Sequence, residues 1–154
     1  MGIYQFKQEQ KIKASMDEVW NFISSPANLK EITPDHMGFD ITSGELPQKM
    51  YAGMMITYKV SPLFGLKMNW VTEITQVKEK DYFIDEQRVG PYKLWHHQHF
   101  IEAIKGGVLM KDIVTYSPPF GFLGSIANTI IIRKKLTEIF DYRNQALNRI
   151  FGTL

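Results

Sequence analysis

The spacing of hydrophobic and polar residues changes three times along the chain and predicts an ordered series of strands and helices. Residues 3 to 13 alternate between apolar and polar side chains, as expected of a strand with one wetter face. Helical spacing follows, and from residue 37 to 118 the period is again two. After Pro118 and Pro119 the helical spacing returns. The pattern therefore predicts one strand, two short helices, a group of strands and one long helix.

Two short helices are predicted after the first strand. Ser15 lies three residues before Glu18, which is the spacing of a capping box that satisfies free N–H groups at a helix start. Pro26 starts the second helix and Pro34 ends it, because proline lacks the N–H that a helix interior needs. The apolar residues on one face of the first helix are Val19, Phe22 and Ile23.

Six further strands are predicted, and the breaks between them carry glycine, proline or charged residues. These breaks read GELPQ, SPLFG, KEKD, VGPY and KGG, and none leaves room for the crossover helix that a parallel pair needs. The strands are therefore expected to form an antiparallel meander. They span residues 38–43, 53–60, 66–78, 81–88, 93–104 and 108–117.

The last helix is predicted from Phe122 to Phe151, a stretch without proline, and Gly152 is placed as its C-cap. The predicted fold class is α+β, with a curved antiparallel seven-stranded sheet wrapped around this long C-terminal helix. Such an arrangement leaves a gap that short side chains do not fill, and this gap is a natural ligand cavity. The residues on the inward stripe of the helix are Ile132, Leu136, Ile139, Phe140, Arg143, Leu147 and Ile150.

Composition narrows the class of protein. A chain of 154 residues with 44% hydrophobic and 22% charged residues suits one globular domain, here residues 1–154. Aromatic residues make up 13% of the chain, as a roomy apolar interior requires. The net charge of +2 is too small to indicate a nucleic-acid partner, and the basic run Arg133-Lys134-Lys135 is interpreted as a solvated helix face.

Neither a secretion signal nor a membrane span is recognisable. The first residues lack the apolar core of a signal peptide, and no apolar run approaches the ~20 residues that cross a bilayer. Cysteine is absent, which excludes a disulfide framework. A cytoplasmic protein without stable membrane insertion is therefore expected. No phosphate-binding loop, nucleophile elbow or H-E-x-x-H motif occurs, and no cofactor is predicted.

Three of the four histidines fall within WHHQHF at residues 95–100. Because side chains alternate along a strand, His97 and His99 share one face and His96 points the other way. A two-residue turn in KGG pairs His99 with either Val114 or Asp112, depending on which two residues form the loop. Both registers place the same six residues on one face, which we interpret as the inner one: Trp95, His97, His99, Asp112, Val114 and Tyr116.

Residues 90 to 143 also resemble the signature of bacterial SRPBCC proteins, G-P-[FY]-x-x-W-x-H-x-H-x-F, D-x-V-x-Y-x-x-P-x-G and I-F-x-Y-R. One departure is Ile101, which stands where the pattern often has phenylalanine. The element order likewise resembles the helix-grip fold of START lipid-transfer domains, the birch-pollen allergen family and polyketide cyclase/dehydrase-like proteins. The matching residues are Gly90, Pro91, Tyr92, Trp95, His97, His99, Asp112, Val114, Tyr116, Pro119, Gly121 and the stretch 139–143.

The resemblance implies binding, with possible transport, of a hydrophobic or amphipathic small molecule or lipid. A cyclase/dehydrase-type enzyme, using His97 or His99 with Asp112 as an acid–base pair, is the alternative. A module that binds a protein partner of unknown identity is a third. The predicted ligand-binding residues are Trp95, His97, His99, Asp112 and Tyr116, with Trp70 and Arg143 as further candidates.

The polar cluster itself admits several roles. Its members either hydrogen-bond one another, as buried polar groups must, or orient the polar end of a ligand. No metal is predicted, because two histidines and one carboxylate lack further evident donors and there is no cysteine. Arg143 interrupts the apolar stripe of the last helix, and it either pairs with a structural carboxylate or reaches a ligand carboxylate.

Methionines near the early strands are interpreted either as adaptable core filling or as a flexible cavity mouth. The stretch PDHMGF at residues 34 to 39 is expected to belong to that mouth, with His36 itself on the surface. The residues of this group are Met50, Met54, Met55, Phe64, Met68 and Trp70.

Overall fold

Seven antiparallel strands form one curved sheet in the computed structural model of the protein, which describes residues 2–61, 65–119 and 131–154. The strand order is β1-β7-β6-β5-β4-β3-β2, so the first strand pairs with the last, and β1 and β2 form the two edges of the sheet. Register shifts between β4 and β5, typical of β-bulges, bend the sheet further. The strands are β1 Tyr4–Ile12, β2 Asp40–Ile41, β3 Met54–Val60, β4 Met68–Lys78, β5 Tyr82–Val89, β6 Leu94–Ile104 and β7 Gly107–Ser117.

Helices cover the chain between β1 and β2 and the end of the chain. Helix α1 spans Met16–Ile23, and two 3-10 helices follow at Pro26–Ile32 and Asp35–Met37. Helix α2 spans Arg133–Phe151. The predicted helix start at residue 122 lies outside the described residues, as do residues 62–64 of the SPLFG segment and Gly121 of the signature.

Helix α1 begins with the predicted capping box. The N–H of Glu18 donates to Oγ of Ser15, and the N–H of Ser15 donates to the Glu18 carboxylate at 2.8 Å. The buried face of α1 differs from the prediction, because Trp20 is buried against Phe83 while Phe22 is only half-buried. The helix is covered on two sides, so its apolar face is wider than the predicted stripe.

Replacing Ser15 by alanine is expected to lower the free energy of unfolding by about 1 kcal/mol, because the N–H of Glu18 loses the hydroxyl oxygen that caps it. Ser25→Ala is a matched control, since Ser25 begins the next helix without any side-chain capping bond. Urea denaturation of both variants measures the difference. Equal stability of the two variants would contradict this role for the capping box.

Helix α2 packs its apolar stripe toward the sheet, as predicted for Leu136, Phe140, Arg143 and Leu147. The prediction for Ile150 is wrong, since 44% of it is exposed. The last inward side chain of the helix is Phe151, four residues after Leu147. The centroid of its ring lies 5.5 Å from that of Phe22. The basic run 133–135 lies on the solvated side of the helix, as predicted.

The turn between β6 and β7 decides which candidate residues face each other. Ile104 pairs with Gly107, so the two-residue loop is Lys105-Gly106, and Gly106 adopts a φ of +84° that favours glycine. His99 therefore lies opposite Asp112, the second of the two predicted registers. Strand β2 is shorter than the predicted 38–43, although the N–H groups of residues 42 and 43 still bond to Thr57.

Candidate functional site

A cavity of about 160 Å³ lies between the inner face of the sheet and helix α2. Its wall is mostly apolar and aromatic, with a polar patch supplied by Asp85, His97, His99 and Arg143. The aromatic side chains of the wall are Phe39, Tyr58, Trp70, Phe83, Tyr92, Trp95 and Phe140.

Three adjacent strands and the helix bring the polar patch together. Strand β6 contributes His97 and His99, both buried, and its register with β7 places Asp112 directly opposite His99. Strand β5 places Asp85 opposite His97. Arg143 reaches the patch from α2. Four elements therefore supply two carboxylates, two imidazoles and one guanidinium to a single group of side chains, which we call the Asp–His–Arg cluster.

His99 bridges the two carboxylates of the cluster. Its Nε2 lies 2.7 Å from Oδ2 of Asp85, and its Nδ1 lies 3.0 Å from Oδ1 of Asp112. An ionised carboxylate only accepts hydrogen bonds, so Asp85 keeps a proton on Nε2, and the charge of Asp112 beside Nδ1 favours a second proton that makes the ring an imidazolium. Burial alone lowers the pKa of His99, but the hydrogen bonds to Asp112 and Asp85 and their charges outweigh burial and raise it.

Both carboxylates stay ionised within this cluster. Burial alone raises the pKa of Asp112, but the charge of Arg143 and hydrogen bonds from His97 and His99 hold it well below its usual range. Burial likewise opposes ionisation of Asp85, yet the hydrogen bond from His99 and the nearby positive charges lower its pKa. With the imidazolium and Arg143 counted, two negative charges meet two positive charges.

His97 differs from His99 although it lies only two residues away. Burial and the charge of His99 lower the pKa of His97 to about 4, so its ring is neutral at pH 7. Its Nε2 lies 3.0 Å from Oδ1 of Asp112, which can only accept, so Nε2 carries the proton. Its Nδ1 is then an unprotonated acceptor, 3.7 Å from Oδ2 of Asp85.

Arg143 balances the charge of Asp112 from the helix side. Its Nη1 lies 3.4 Å from Oδ1 of Asp112, and its guanidinium carbon lies 5.7 Å from the centroid of the Phe140 ring. Its Nη2 lies 3.4 Å from Nδ1 of His99, to which it donates when that ring is neutral and which it repels when Nδ1 is protonated. The Nε atom of Arg143 is buried without a hydrogen-bond partner among the described residues. Of the two predicted roles, pairing with a carboxylate is present in the structure.

The aromatic end of the cavity is held by its own hydrogen bonds. Nε1 of Trp70 donates to Oγ1 of Thr72 at 3.0 Å, and the hydroxyl of Tyr58 lies 2.8 Å from the same oxygen. The rings of Trp70 and Trp95 meet edge to face at 5.4 Å. Burial raises the pKa of both Tyr58 and Tyr92, so both phenols are neutral. The aromatic end is therefore lined by neutral groups.

The predicted candidates separate into two groups. Trp70, Trp95, His97, His99 and Arg143 line the cavity, and their role in binding a ligand stays a prediction. Asp112 and Tyr116 share that sheet face and are buried, but they are not part of the cavity wall.

Sequence reasoning missed Asp85. The period of two along β5 puts Phe83, Asp85 and Gln87 on one face, which was a usable signal. The VGPY connection did not reveal the register with β6, so nothing in the pattern placed Asp85 opposite His97. Two members of the predicted mouth, Met37 and Phe39, line the cavity while His36 is exposed.

The methionine group divides between core and surface. Met50 lines the cavity, Met54 is buried in the core, and Met55 is 47% exposed on the outer face of β3. Met68 is half-buried, and Phe64 lies outside the described residues. Met54 therefore fits the interpretation as core filling, while a flexible cavity mouth stays a prediction for Met50.

Asp85, His97 and His99 are the described residues that could hold a metal ion, since one donor atom from each lies within 4.8 Å of the others. Metal binding would require the donor nitrogen of His99 to lose its proton and its bond to Asp85. Arg143, near both Asp112 and His99, would add charge repulsion. The proton on His99 and the neighbouring positive charge of Arg143 therefore both oppose a metal ion at these three residues.

The chain matches no family model and no curated protein. It is similar in structure to Ara h 8.0201, with 14% identity, coverage of 96% of this chain and 99% of that chain, and a TM-score of 0.60. An uncharacterised protein from Rhizobium leguminosarum is 16% identical over 96% of both chains, with a TM-score of 0.71. Protein CV1439 from Chromobacterium violaceum is 10% identical over 97% of this chain and 99% of that chain, with a TM-score of 0.72.

Similarity at this level of identity identifies a fold and leaves activity open, since one fold hosts many functions. Ara h 8 is a Bet v 1-like helix-grip protein, and its architecture of a curved antiparallel sheet, short helices and a C-terminal helix matches the one described above. The chain therefore has a helix-grip fold like that of Ara h 8, in agreement with the sequence pattern.

Proposed function

We propose that the protein binds a compact, mostly apolar molecule in the cavity between its sheet and helix α2. The observation that carries this proposal is the composition of the wall, in which aromatic rings surround a small polar patch. Ligand sites typically combine such a wall with a few convergent polar groups. Core packing normally leaves no void much larger than a water molecule, so a void of about 160 Å³ is an unusual feature for a core.

The size of the cavity limits the ligand. An apolar cavity of about 150 Å³ holds a molecule the size of benzene. A volume of about 160 Å³ therefore suits one aromatic ring with a small substituent. A long lipid chain would have to displace wall side chains such as Met37 and Met50, which are flexible enough to move. A compact ligand needs no such rearrangement.

Filling the cavity is expected to abolish binding. Ile139 of helix α2 lines the cavity, so Ile139→Trp puts an indole into the space that the ligand would occupy. Thr137→Trp on the exposed side of the same helix is the matched control. Native mass spectrometry of freshly purified protein should detect a retained molecule in the wild type and the control, and none in Ile139→Trp. Retention by all three proteins would contradict a ligand site in this cavity.

A second candidate function is acid–base catalysis on the bound molecule, and one observation favours it. Asp112 holds the ring of His97 in the tautomer whose Nδ1 is free to accept a proton. For an enzyme, His97→Gln should lower the rate of product formation with little change in ligand affinity. For a carrier, the same variant should change affinity alone, and no turnover should be detected in either protein.

Within residues 2–61, 65–119 and 131–154, no helix combines the length and the apolar character that crossing a membrane requires.

A further inference from the structure

The cavity wall contains a hydrogen-bond acceptor that the protein does not satisfy. Nε2 of His97 uses its proton on Asp112, which leaves the lone pair of Nδ1 without a donor among the described residues. The polar atom that lies beside Nδ1 is Oδ2 of Asp85 at 3.7 Å, and a carboxylate oxygen offers no proton. His97 lines the cavity, and an acceptor that borders an apolar cavity without a donor costs free energy, so this position favours a ligand that brings one.

Asp85 adds a second acceptor beside the first. Its Oδ2 accepts from Nε2 of His99, and a carboxylate oxygen has room for more than one hydrogen bond. Both Asp85 and His97 line the cavity. The polar patch therefore presents two neighbouring acceptors to a ligand, and it calls for a donor group such as O–H.

Charge decides between neutral and ionic ligands. The titratable groups that face His97 are Asp85 from β5, His99 from its own strand and Asp112 from β7, and Arg143 from α2 pairs with Asp112. The two carboxylates balance the imidazolium of His99 and the guanidinium. A ligand anion would meet two acceptors and leave an unpaired buried charge, whereas a neutral donor keeps the balance. Arg143 already faces Asp112 through Nη1 and His99 through Nη2, so its Nε is a single remaining donor and bidentate capture of a ligand carboxylate would cost these contacts.

We propose that the cavity selects a compact aromatic molecule bearing a hydroxyl group, with its O–H donating to Nδ1 of His97 and its ring against the aromatic wall. This inference rests on the proposed binding function and names the class of ligand. The ring lies among Trp70, Trp95 and Phe140, and the hydroxyl lies at the patch formed by Asp85 and His97. A simple phenol fits both the volume and the hydrogen-bond requirement.

Calorimetric titration with phenol, toluene and benzoate at pH 7 tests this proposal on the unmodified protein. The three probes share one ring and differ in offering a donor, a methyl group or an anion. Phenol is expected to bind at least about tenfold more tightly than toluene, and benzoate the least tightly of the three, because only phenol satisfies His97. Toluene or benzoate binding as tightly as phenol would overturn the proposal while leaving an apolar cavity in place. If none of the three binds, both this proposal and the binding function fail.

Nitrogen-15 NMR of the histidine rings gives an independent readout. In the free protein, Nε2 of His97 should be protonated and Nδ1 unprotonated, and phenol should shift the Nδ1 signal while toluene does not. His96 is an internal control, since its Nδ1 bonds to Glu86 on the other sheet face. A protonated Nδ1 in the free protein, or a Nδ1 signal that phenol leaves unchanged, would overturn the proposal.

Discussion

Replacing Asp112 by alanine is expected to lower the free energy of unfolding by about 3–5 kcal/mol, because buried charges lose their partner. Asp112 is 2% exposed, accepts from Nε2 of His97, and its Oδ1 lies 3.0 Å from Nδ1 of His99 and 3.4 Å from Nη1 of Arg143. Its removal leaves the guanidinium of Arg143 and the imidazolium of His99 close together in the interior, with one carboxylate fewer to balance them. Urea denaturation at pH 7 measures the loss.

Glu102→Ala is the matched control for this substitution. Glu102 accepts from Lys111 at 3.1 Å on neighbouring strands of the same hairpin, but the Glu102 side chain is 64% exposed and Lys111 is half-buried. Surface pairs of this kind contribute within about 1 kcal/mol. If Asp112→Ala costs no more than Glu102→Ala, the Asp–His–Arg cluster is not a buried, charge-balanced unit.

Acidification from pH 6.5 to pH 4 is expected to lower the free energy of unfolding by roughly 3 kcal/mol through His97 alone. The pKa of His97 is lowered to about 4 in the folded protein from 6.5 in a free imidazole. Between these values the unfolded chain binds a proton that the folded chain does not bind, so stability falls as pH falls.

His99 has the opposite effect on the free energy of unfolding, and it acts at pH values above 6.5. Its pKa is raised from 6.5 in the folded protein, so its contribution is complete below pH 6.5 and is lost as pH rises through the folded value. The lowered pKa values of Asp85 and Asp112 remove stability only when pH falls below their ordinary value of 3.8. Together the two histidines place the stability maximum near pH 6.5.

Stability measured by urea denaturation at half-unit steps of pH checks this expectation. His97→Gln should remove the slope between pH 6.5 and pH 4, because glutamine does not titrate. His36→Gln, at an exposed position, should preserve the slope. A wild-type slope that survives in His97→Gln would show that other groups cause the acid sensitivity.

Strand β6 shows which contacts could be predicted from the sequence alone and which could not. Alternation along β6 and a short glycine turn were enough to place His97, His99 and Asp112 on one face, because a two-residue loop permits only a few registers. The register between β5 and β6 was not accessible in this way. The VGPY connection is longer and irregular, so the pairing of Asp85 with His97 depends on the packed sheet.

The protonation states of the histidines could not be predicted from the sequence either. His97 and His99 are the same residue type on the same strand face, yet burial and their different carboxylate contacts shift the two pKa values in opposite directions. Likewise, a stripe of apolar residues predicted that helix α2 packs on the sheet, but not how much space remains between them. Cavity volume is a small difference between large packed volumes, and it depends on the rotamers of Phe140 and its neighbours.

The central claim, that sheet and helix enclose a space that accepts a compact apolar molecule, is tested most directly by methyl NMR of isoleucine-labelled protein during titration with phenol. Ile56, Ile74 and Ile139 line the cavity, whereas Ile150 is largely exposed on the outside of the helix. The account predicts saturable shifts at the three cavity methyl groups and none at Ile150. Shifts confined to Ile150, or no shift at any of these positions, would contradict it.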